Sequence, residues 1–267
     1  MSQKINLNTP ISYYGGKQTM LPHILPLLPD HSVYVEPFFG GGAVFWAKEP
    51  TSVEIINDYN GMVVNFYRQL KSNFEELKRA IDATPYSRQA YQKALVVYEN
   101  PYLFDPVTKA WAFWIGTSQG FSNKIGSWRS SQITEKESKR LENKKRAFTK
   151  ELSERLKYVQ IEQKDAVDLI KNLDTPDTFF YLDPPYVGAD QGHYGGYMQE
   201  HFNTLLETLS HIQGKFLLSS YPNQELDKYR EQCNWQSHDV NMSLSSSRKS
   251  GSRKLECLTF NYLLNNI

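Results

Sequence analysis

Short apolar runs that end in acids or glycines recur along this chain, with amphipathic stretches between them. Ser32-Val33-Tyr34-Val35-Glu36 has the β-branched and aromatic content of a strand and breaks into Pro37-Phe38-Phe39-Gly40-Gly41-Gly42. Ala43-Val44-Phe45-Trp46-Ala47 then reads as the start of a helix. Val53-Glu54-Ile55-Ile56-Asn57-Asp58 is a second predicted strand, and it too closes on an acid. Residues 158–161, followed by Asp165, read as a third, residues 178–183 as a fourth and residues 215–219 as a fifth. An amphipathic helix over 202–212 precedes the fifth, and residues 255–264 supply a late strand. Strands alternating with helices predict an α/β fold with a mostly parallel, Rossmann-like sheet, its site at the carboxyl ends of the strands.

The spacing breaks once. About a hundred residues separate the second and third strands, where a βαβ unit needs one helix. That length implies an inserted domain over 61–156, within a catalytic domain made of 1–60 and 157–267. Residues 63–98 are helical in pattern, and Trp111-Ala112-Phe113-Trp114-Ile115 is an apolar run of the buried kind. Residues 116–131 are rich in Gly, Ser and Asn, and 134–157 reads as one charged helix. The insertion is therefore expected to be mostly helical.

With 40% hydrophobic and 22% charged residues among 267, the chain is globular rather than disordered. No apolar run is long enough to span a bilayer, and residues 1–10 are polar and lack the apolar core of a signal peptide. No membrane partner is expected, and the cytoplasm is the expected compartment. Cys233 and Cys257 stand far apart without a CxxC pair, and His193 and His201 lack ligand partners at useful spacing. Neither a disulfide nor a metal site is expected.

The net charge of +1 does not argue for a polyanionic partner, but the distribution of charge does. Between residues 124 and 157 bases outnumber acids about two to one. The stretch 243–254 carries Arg248, Lys249, Arg253 and Lys254 among serines, with no acid. Both patches suit phosphate contacts, although a solvated helix face accounts equally well for the first.

The chemistry concentrates at Asp183-Pro184-Pro185-Tyr186, directly after an apolar run. An exocyclic amine on an aromatic base is a poor nucleophile, because its lone pair is delocalised into the ring. Methyl transfer becomes easier when acceptors hold the N–H groups as the nitrogen turns tetrahedral. The Asp183 carboxylate and the Pro184 carbonyl supply two acceptors, the prolines stiffen the turn, and Tyr186 offers a π-face to the base. The bland alternative is a stiff strand end with a surface tyrosine.

Gly40 and Gly42 lie between a strand and a helix, where backbone can approach a ligand closely. Gly42 is followed by Ala43-Val44-Phe45, so neither a GxGxxG fingerprint nor a P-loop is present. Asp58 and Asp165 close predicted strands; such acids bind ribose hydroxyls or an adenine amine, or merely form turns. In Tyr13-Tyr14-Gly15-Gly16-Lys17 a cation sits beside glycines, and Lys17 can hold a carboxylate. The glycine-rich 187–201, with Tyr194 and Tyr197, suits a loop that closes over an extruded base.

The order Tyr-x-Gly-Gly-Lys, Glu-Pro-Phe-x-Gly-x-Gly, strand-two Asp, long insertion and Asp-Pro-Pro-Tyr resembles the Dam-type (D12 class, α-group) DNA adenine-N6 methyltransferases. The resemblance covers most of the chain, down to a tail from Arg253 to Tyr262 similar to the family's closing Glu…Asn-Tyr strand. It implies an S-adenosylmethionine site using Tyr13, Lys17, Glu36, Phe38, Asp58, Asp165 and Asp183, with double-stranded DNA as substrate. It also implies target recognition by the insertion and a base flipped onto Tyr186. A restriction endonuclease of the same system is a candidate partner that the sequence leaves open. GATC-specific members carry a Phe-Asn-x-Pro-type hairpin in the insertion. This chain instead has Gly120-Phe121-Ser122-Asn123-Lys124-Ile125-Gly126-Ser127-Trp128-Arg129-Ser130, so the resemblance does not extend to GATC. Asn123, Lys124, Trp128 and Arg129 are the candidate base readers there, and Lys144 on the charged helix is a candidate phosphate contact.

Three other readings stay open on sequence alone. An N4-cytosine methyltransferase uses a similar acceptor pair, usually with Ser in place of the Asp. A DNA-binding protein that keeps the fold without catalysis is the second, and a protein or RNA amine methyltransferase the third.

Overall fold

The structure, a computed structural model, describes residues 7–13, 15–121, 125–130, 135–187, 196–243 and 253–264. Among these the chain runs through α1 (Leu21–Ile24), β1 (Val33–Glu36), α2 (Ala43–Ala47) and β2 (Val53–Asn57). Then come α3 (Gly61–Ser72), α4 (Phe74–Ala83), α5 (Arg88–Glu99), α6 (Pro106–Gln119), α7 (Lys136–Ala147) and α8 (Lys150–Arg155). After β3 (Gln160–Glu162) follow α9 (Ala166–Leu173), β4 (Thr178–Leu182), α10 (Gln199–Leu209), β5 (Lys215–Ser220) and α11 (Gln224–Cys233). The strands β6 (Gln236–Ser243) and β7 (Arg253–Phe260) come last. No described helix is long and apolar enough to cross a membrane. The chain divides into two compact units, residues 1–18, 40–49 and 58–163, and residues 19–39, 50–57 and 164–267.

The second unit carries six strands in the order β2-β1-β4-β5-β7-β6. The first four are parallel, with Val33 opposite Val53 and Thr178, and Phe179 opposite Lys215. All five residues of β4 are buried, as expected for a central parallel strand covered on both faces. One face packs Val35, Ile55, Phe180, Leu182 and Phe216 against Leu205 and Leu206 of α10. Each such side chain contributes about 1.5–3 kcal/mol by leaving water. Asp165 starts α9 by accepting the amides of Val167 and Asp168, and Asn223 starts α11 by accepting those of Glu225 and Leu226. After β7, Asn261 donates to the Gly214 carbonyl and accepts the Phe216 amide, while the Tyr262 hydroxyl donates to the Leu27 carbonyl.

The late strand is found, but it runs antiparallel to β5 and begins at Arg253 rather than Leu255. Its partner β6 was not foreseen. Its exposed residues Gln236 to Asp239 give no apolar alternation, because an edge strand of this kind is held by ladder hydrogen bonds more than by burial. The third strand is also displaced, to Gln160–Glu162, leaving Tyr158 85% exposed.

The first unit is helical around α6, whose apolar sequence runs through to a fully covered C-terminal turn. Phe66, Phe113, Trp114 and Phe148 pack together, and the Trp114 indole donates to the Pro10 carbonyl at 2.9 Å. Side-chain caps on Asn60, Ser87 and Asp105 open α3, α5 and α6. The single charged helix expected over 134–157 is two helices. Phe148 breaks it by turning into the core, where its ring stacks on Phe74 at 5.7 Å. Beyond α6 the backbone turns back on itself. Gly120 bridges Trp128, the Phe121 amide donates to the Ser127 carbonyl, and the Arg129 amide donates to the Gln119 carbonyl.

Candidate active site

In the second unit the site grows from the ends of the parallel strands. Asp183 follows β4 directly and keeps partial exposure, while Pro184 is buried. The two prolines present no N–H, so the Pro184 carbonyl lies in a stiff extended turn that no strand pairs. A shallow cleft adjoins it, lined by Pro184, Pro185, Tyr186, Phe202, Tyr221 and Pro222 among others.

Tyr186 is held at three points. Its hydroxyl donates to Glu256 Oε1, its oxygen lies 2.9 Å from Ser219 Oγ, and its ring meets Tyr221 edge-on at 4.3 Å. Ser219 also donates to Glu256 Oε1, at 2.7 Å. Burial, then the charges of Asp183 and Glu256, hold the Tyr186 phenol well above its usual pKa. The sequence singled out Tyr186 but gave Ser219, Tyr221 and Glu256 no role. The available signal was an acid inside the otherwise apolar strand Leu255-Glu256-Cys257-Leu258.

Of the residues expected to bind cofactor, this unit holds Glu36, Phe38, Asp165 and Asp183. Glu36 ends β1, is 2% exposed and accepts the Tyr34 hydroxyl at 2.7 Å. Phe38 meets the Tyr197 ring edge-on at 6.3 Å. Burial, then the charge of Asp165, raises the Tyr197 phenol pKa. Apolar rings beside strand-end carboxylates suit a purine nucleoside, whose face is apolar and whose hydroxyls and amine donate.

The first unit holds Tyr13, Lys17, Gly40, Gly42 and Asp58. Asp58 is 2% exposed; its Oδ2 accepts the Gly40 amide and its Oδ1 the Asn60 amide, both at 2.8 Å. Gly40 and Gly42 adopt φ of 46° and 64°, which side chains other than glycine rarely take. The Tyr67 hydroxyl donates to the Gly40 carbonyl at 3.0 Å, so both ends of that peptide segment are clamped. Lys17 is 8% exposed and donates to the Gly15 carbonyl at 3.3 Å; the Tyr13 ring packs near Phe113. The donor set fits a cofactor that carries a nucleoside and a carboxylate.

The residues expected to meet DNA are only partly described. Asn123, Lys124, Arg248 and Lys249 lie outside the described residues, as does Tyr194. Arg253 opens β7, with its backbone paired to Ser243. The Trp128 ring packs against Tyr86 at 5.5 Å, tilted by 32°, and lies under the Arg88 guanidinium at 4.5 Å. Arg129 is ion-paired with Glu137 at 3.4 Å, with only 13% of its side chain exposed.

Lys144 departs from the expectation of an exposed phosphate contact. Its ammonium is buried and has no hydrogen-bond partner among the described residues. Burial, then the charge of Arg129, lowers its pKa to about 7, against a smaller opposing effect of Glu137. Lys145 is likewise turned inward, onto the Asp82 carbonyl and Glu142. The periodic charge of α7 therefore does not form one solvated face. Among the described residues no group of three His, Cys, Asp or Glu side chains is placed to hold a metal ion.

A family model described as D12 class N6 adenine-specific DNA methyltransferase matches residues 13–244. The type II methyltransferase M1.LlaDCHI of Lactococcus lactis subsp. cremoris is 45% identical over 75 residues, 28% of this chain and 26% of that protein. The modification methylase StsI of Streptococcus sanguinis is 26% identical over 200 residues, 70% of this chain and 30% of that protein. A DNA N-6-adenine-methyltransferase of Escherichia phage P1 is 38% identical over 63 residues, 24% of this chain and 8% of that protein. The chain thus spans less than a third of the length of each of these relatives.

Proposed function

The chain belongs to the D12 class of N6 adenine-specific DNA methyltransferases, and from that membership we propose that it methylates the N6 amino group of adenine in double-stranded DNA, using S-adenosylmethionine. The observation that carries this reading is Asp183-Pro184-Pro185-Tyr186 at the carboxyl end of the central strand β4, beside a cleft and with its tyrosine pinned. The target adenine leaves the duplex and lies on Tyr186, paying a few kcal/mol of unstacking that ring contact and hydrogen bonds offset. Asp183 and the Pro184 carbonyl accept the two N–H groups of the amine. Its lone pair then localises on nitrogen, and Asp183 can take the proton released after transfer. The cofactor supplies an electrophilic methyl group on a sulfonium.

Asp165, Phe38 and Glu36 hold the nucleoside part of that cofactor, and Lys17 its carboxylate. Tyr13 and the glycine turn at Gly40 and Gly42, set by Asp58, are assigned to cofactor binding as well. The insertion over 61–156 reads the duplex, with Trp128 and Arg129 in the strand-like arm after α6 and the basic residues 248–254 on phosphates. A restriction endonuclease of the same system is the partner that this reading assigns.

Expression in cells that lack DNA methylation tests it. Nucleoside analysis of their DNA should give N6-methyladenine, and methylation-sensitive sequencing should place it in one motif. N4-methylcytosine instead assigns the rival amine, and unmodified DNA with no cofactor binding assigns a non-catalytic role.

A further inference from the structure

We propose that Glu256 and Ser219 are positioning residues that fix the plane of the Tyr186 ring on which the target base stacks; the inference rests on the base-pocket reading above. Tyr186 lies beyond the end of β4, on backbone with no strand partner. Its prolines fix the turn before it, but the ring itself can still rotate about two side-chain torsions. What removes that freedom is the phenol oxygen, tied to Glu256 Oε1.

The anchor is built into the sheet. Ser219 is in β5 and Glu256 in the antiparallel neighbour β7, where Ser219 pairs with Leu258 and Ser220 with Cys257. Ser219 is fully buried and Glu256 is 7% exposed. A carboxylate between Leu255 and Cys257 is costly to desolvate unless charge-assisted hydrogen bonds offset that cost. Here two hydroxyls point their protons at one carboxylate oxygen, and the 2.9 Å between Tyr186 and Ser219 oxygens follows from sharing that acceptor. Tyr221, the residue after β5, closes on the ring from the side at 4.3 Å. The ring oxygen is thus held from β5 and β7, and the ring itself from the residue that follows β5.

Pre-setting the plane matters because a base that stacks on a tilted ring presents its amine away from Asp183. A small misplacement of the reacting nitrogen costs far more rate than affinity. Glu256 therefore acts through Tyr186, without touching the base.

The test is a double-mutant cycle with Tyr186→Phe, Glu256→Ala, Glu256→Gln and Ser219→Ala, each checked for cofactor-product binding by calorimetry and for melting temperature. Turnover is measured on the mapped motif, and extrusion is read separately from 2-aminopurine fluorescence with the probe at the target adenine. Glu256→Ala and Tyr186→Phe should each lower kcat about ten- to a hundredfold and reduce the extrusion signal, with S-adenosylhomocysteine affinity unchanged. Glu256→Gln, which keeps a carbonyl acceptor, should recover part of the loss. In the Tyr186→Phe background Glu256→Ala should have no further effect on kcat or fluorescence. An equal loss in both backgrounds, or wild-type extrusion by Glu256→Ala, overturns the positioning role. If Glu256→Ala does not fold, Ser219→Ala and Glu256→Gln are read in the same cycle. Absence of N6-methyladenine with the unaltered chain overturns the base-pocket reading and this assignment with it; methylation by the unaltered chain separates the two.

Discussion

The carboxylate of Asp58 accepts the amide of Gly40 at 2.8 Å, across a separation of eighteen residues. The same carboxylate accepts the Asn60 amide, so one acid spans the glycine turn and the entry to α3. Asp58 thereby holds a left-handed glycine in place before any ligand arrives.

Asp58→Ala should leave two amides without acceptors in a site where the carboxylate is 2% exposed. We expect a loss of about 1–3 kcal/mol in stability. S-adenosylhomocysteine affinity should fall more than DNA affinity. Calorimetry and a DNA-binding titration on the folded variant check this; an unchanged dissociation constant for S-adenosylhomocysteine removes Asp58 from the cofactor site.

Asp183→Ala should abolish methyl transfer while DNA binding survives, since the proposed reading puts this side chain on the reacting amine and not on the duplex backbone. Asp183→Asn keeps an acceptor but not the charge or the proton sink, and should retain only a trace of activity. Tritiated-methyl transfer to unmodified DNA, beside a filter-binding titration, separates the two effects. Turnover at the wild-type rate in Asp183→Ala ends the catalytic assignment.

The central strands and the Asp-Pro-Pro-Tyr turn were legible because each is short, apolar and local: β1, β2, β4 and β5 lie within a residue of where the pattern puts them. β6 was not, since its stability comes from ladder hydrogen bonds to β7, which leave no trace in side-chain alternation. The break at Phe148 is a tertiary event: a helix-compatible residue turned inward to meet Phe74. The Tyr186 anchor joins residues separated by seventy positions and only the antiparallel pairing of β5 and β7 brings them together. The burial of Lys144 is non-local in the same way: Arg129, from the stretch after α6, pairs with Glu137 of α7 and brings its charge to bear on Lys144.

Lys144 also yields a pH prediction. Its folded pKa of about 7 lies below the usual 10.5. Between those values the unfolded chain holds a proton that the folded chain lacks, so this group makes stability rise with pH. Below about 7 both states carry the charge, and the folded state bears the full desolvation cost. Lys144→Met should therefore stabilise the protein at pH 7 by about 2 kcal/mol, the linkage value being discounted for relaxation of the site. The gap in melting temperature between variant and wild type should narrow toward pH 10. A gap that stays constant across that range means the ammonium is solvated.

The last prediction concerns which residue of the insertion selects the sequence. Arg is the commonest reader of guanine, and Arg129 sits on a backbone fixed twice, by the Gln119 carbonyl and by the Tyr86 hydroxyl on its own carbonyl. Its guanidinium is turned toward Glu137, so reaching a base edge requires that pair to open. The pair is largely covered, with 13% and 15% of its two side chains exposed, but its 3.4 Å separation is long for a charge-assisted hydrogen bond, and base contacts in the duplex would have to replace it. Arg129→Ala should lose about 1–3 kcal/mol of discrimination at one base pair and broaden the methylated motif. Lys139, 74% exposed on α7, should behave differently. Lys139→Ala should weaken binding to all sequences alike and lower the salt slope by about one unit. Glu137→Gln should release Arg129 and leave the motif intact with tighter binding to non-target DNA. Methylome sequencing after expression of each variant, beside its melting curve, decides among these. A lower melting temperature for Arg129→Ala with the wild-type motif unchanged assigns Arg129 to packing of the insertion, and base readout to other residues.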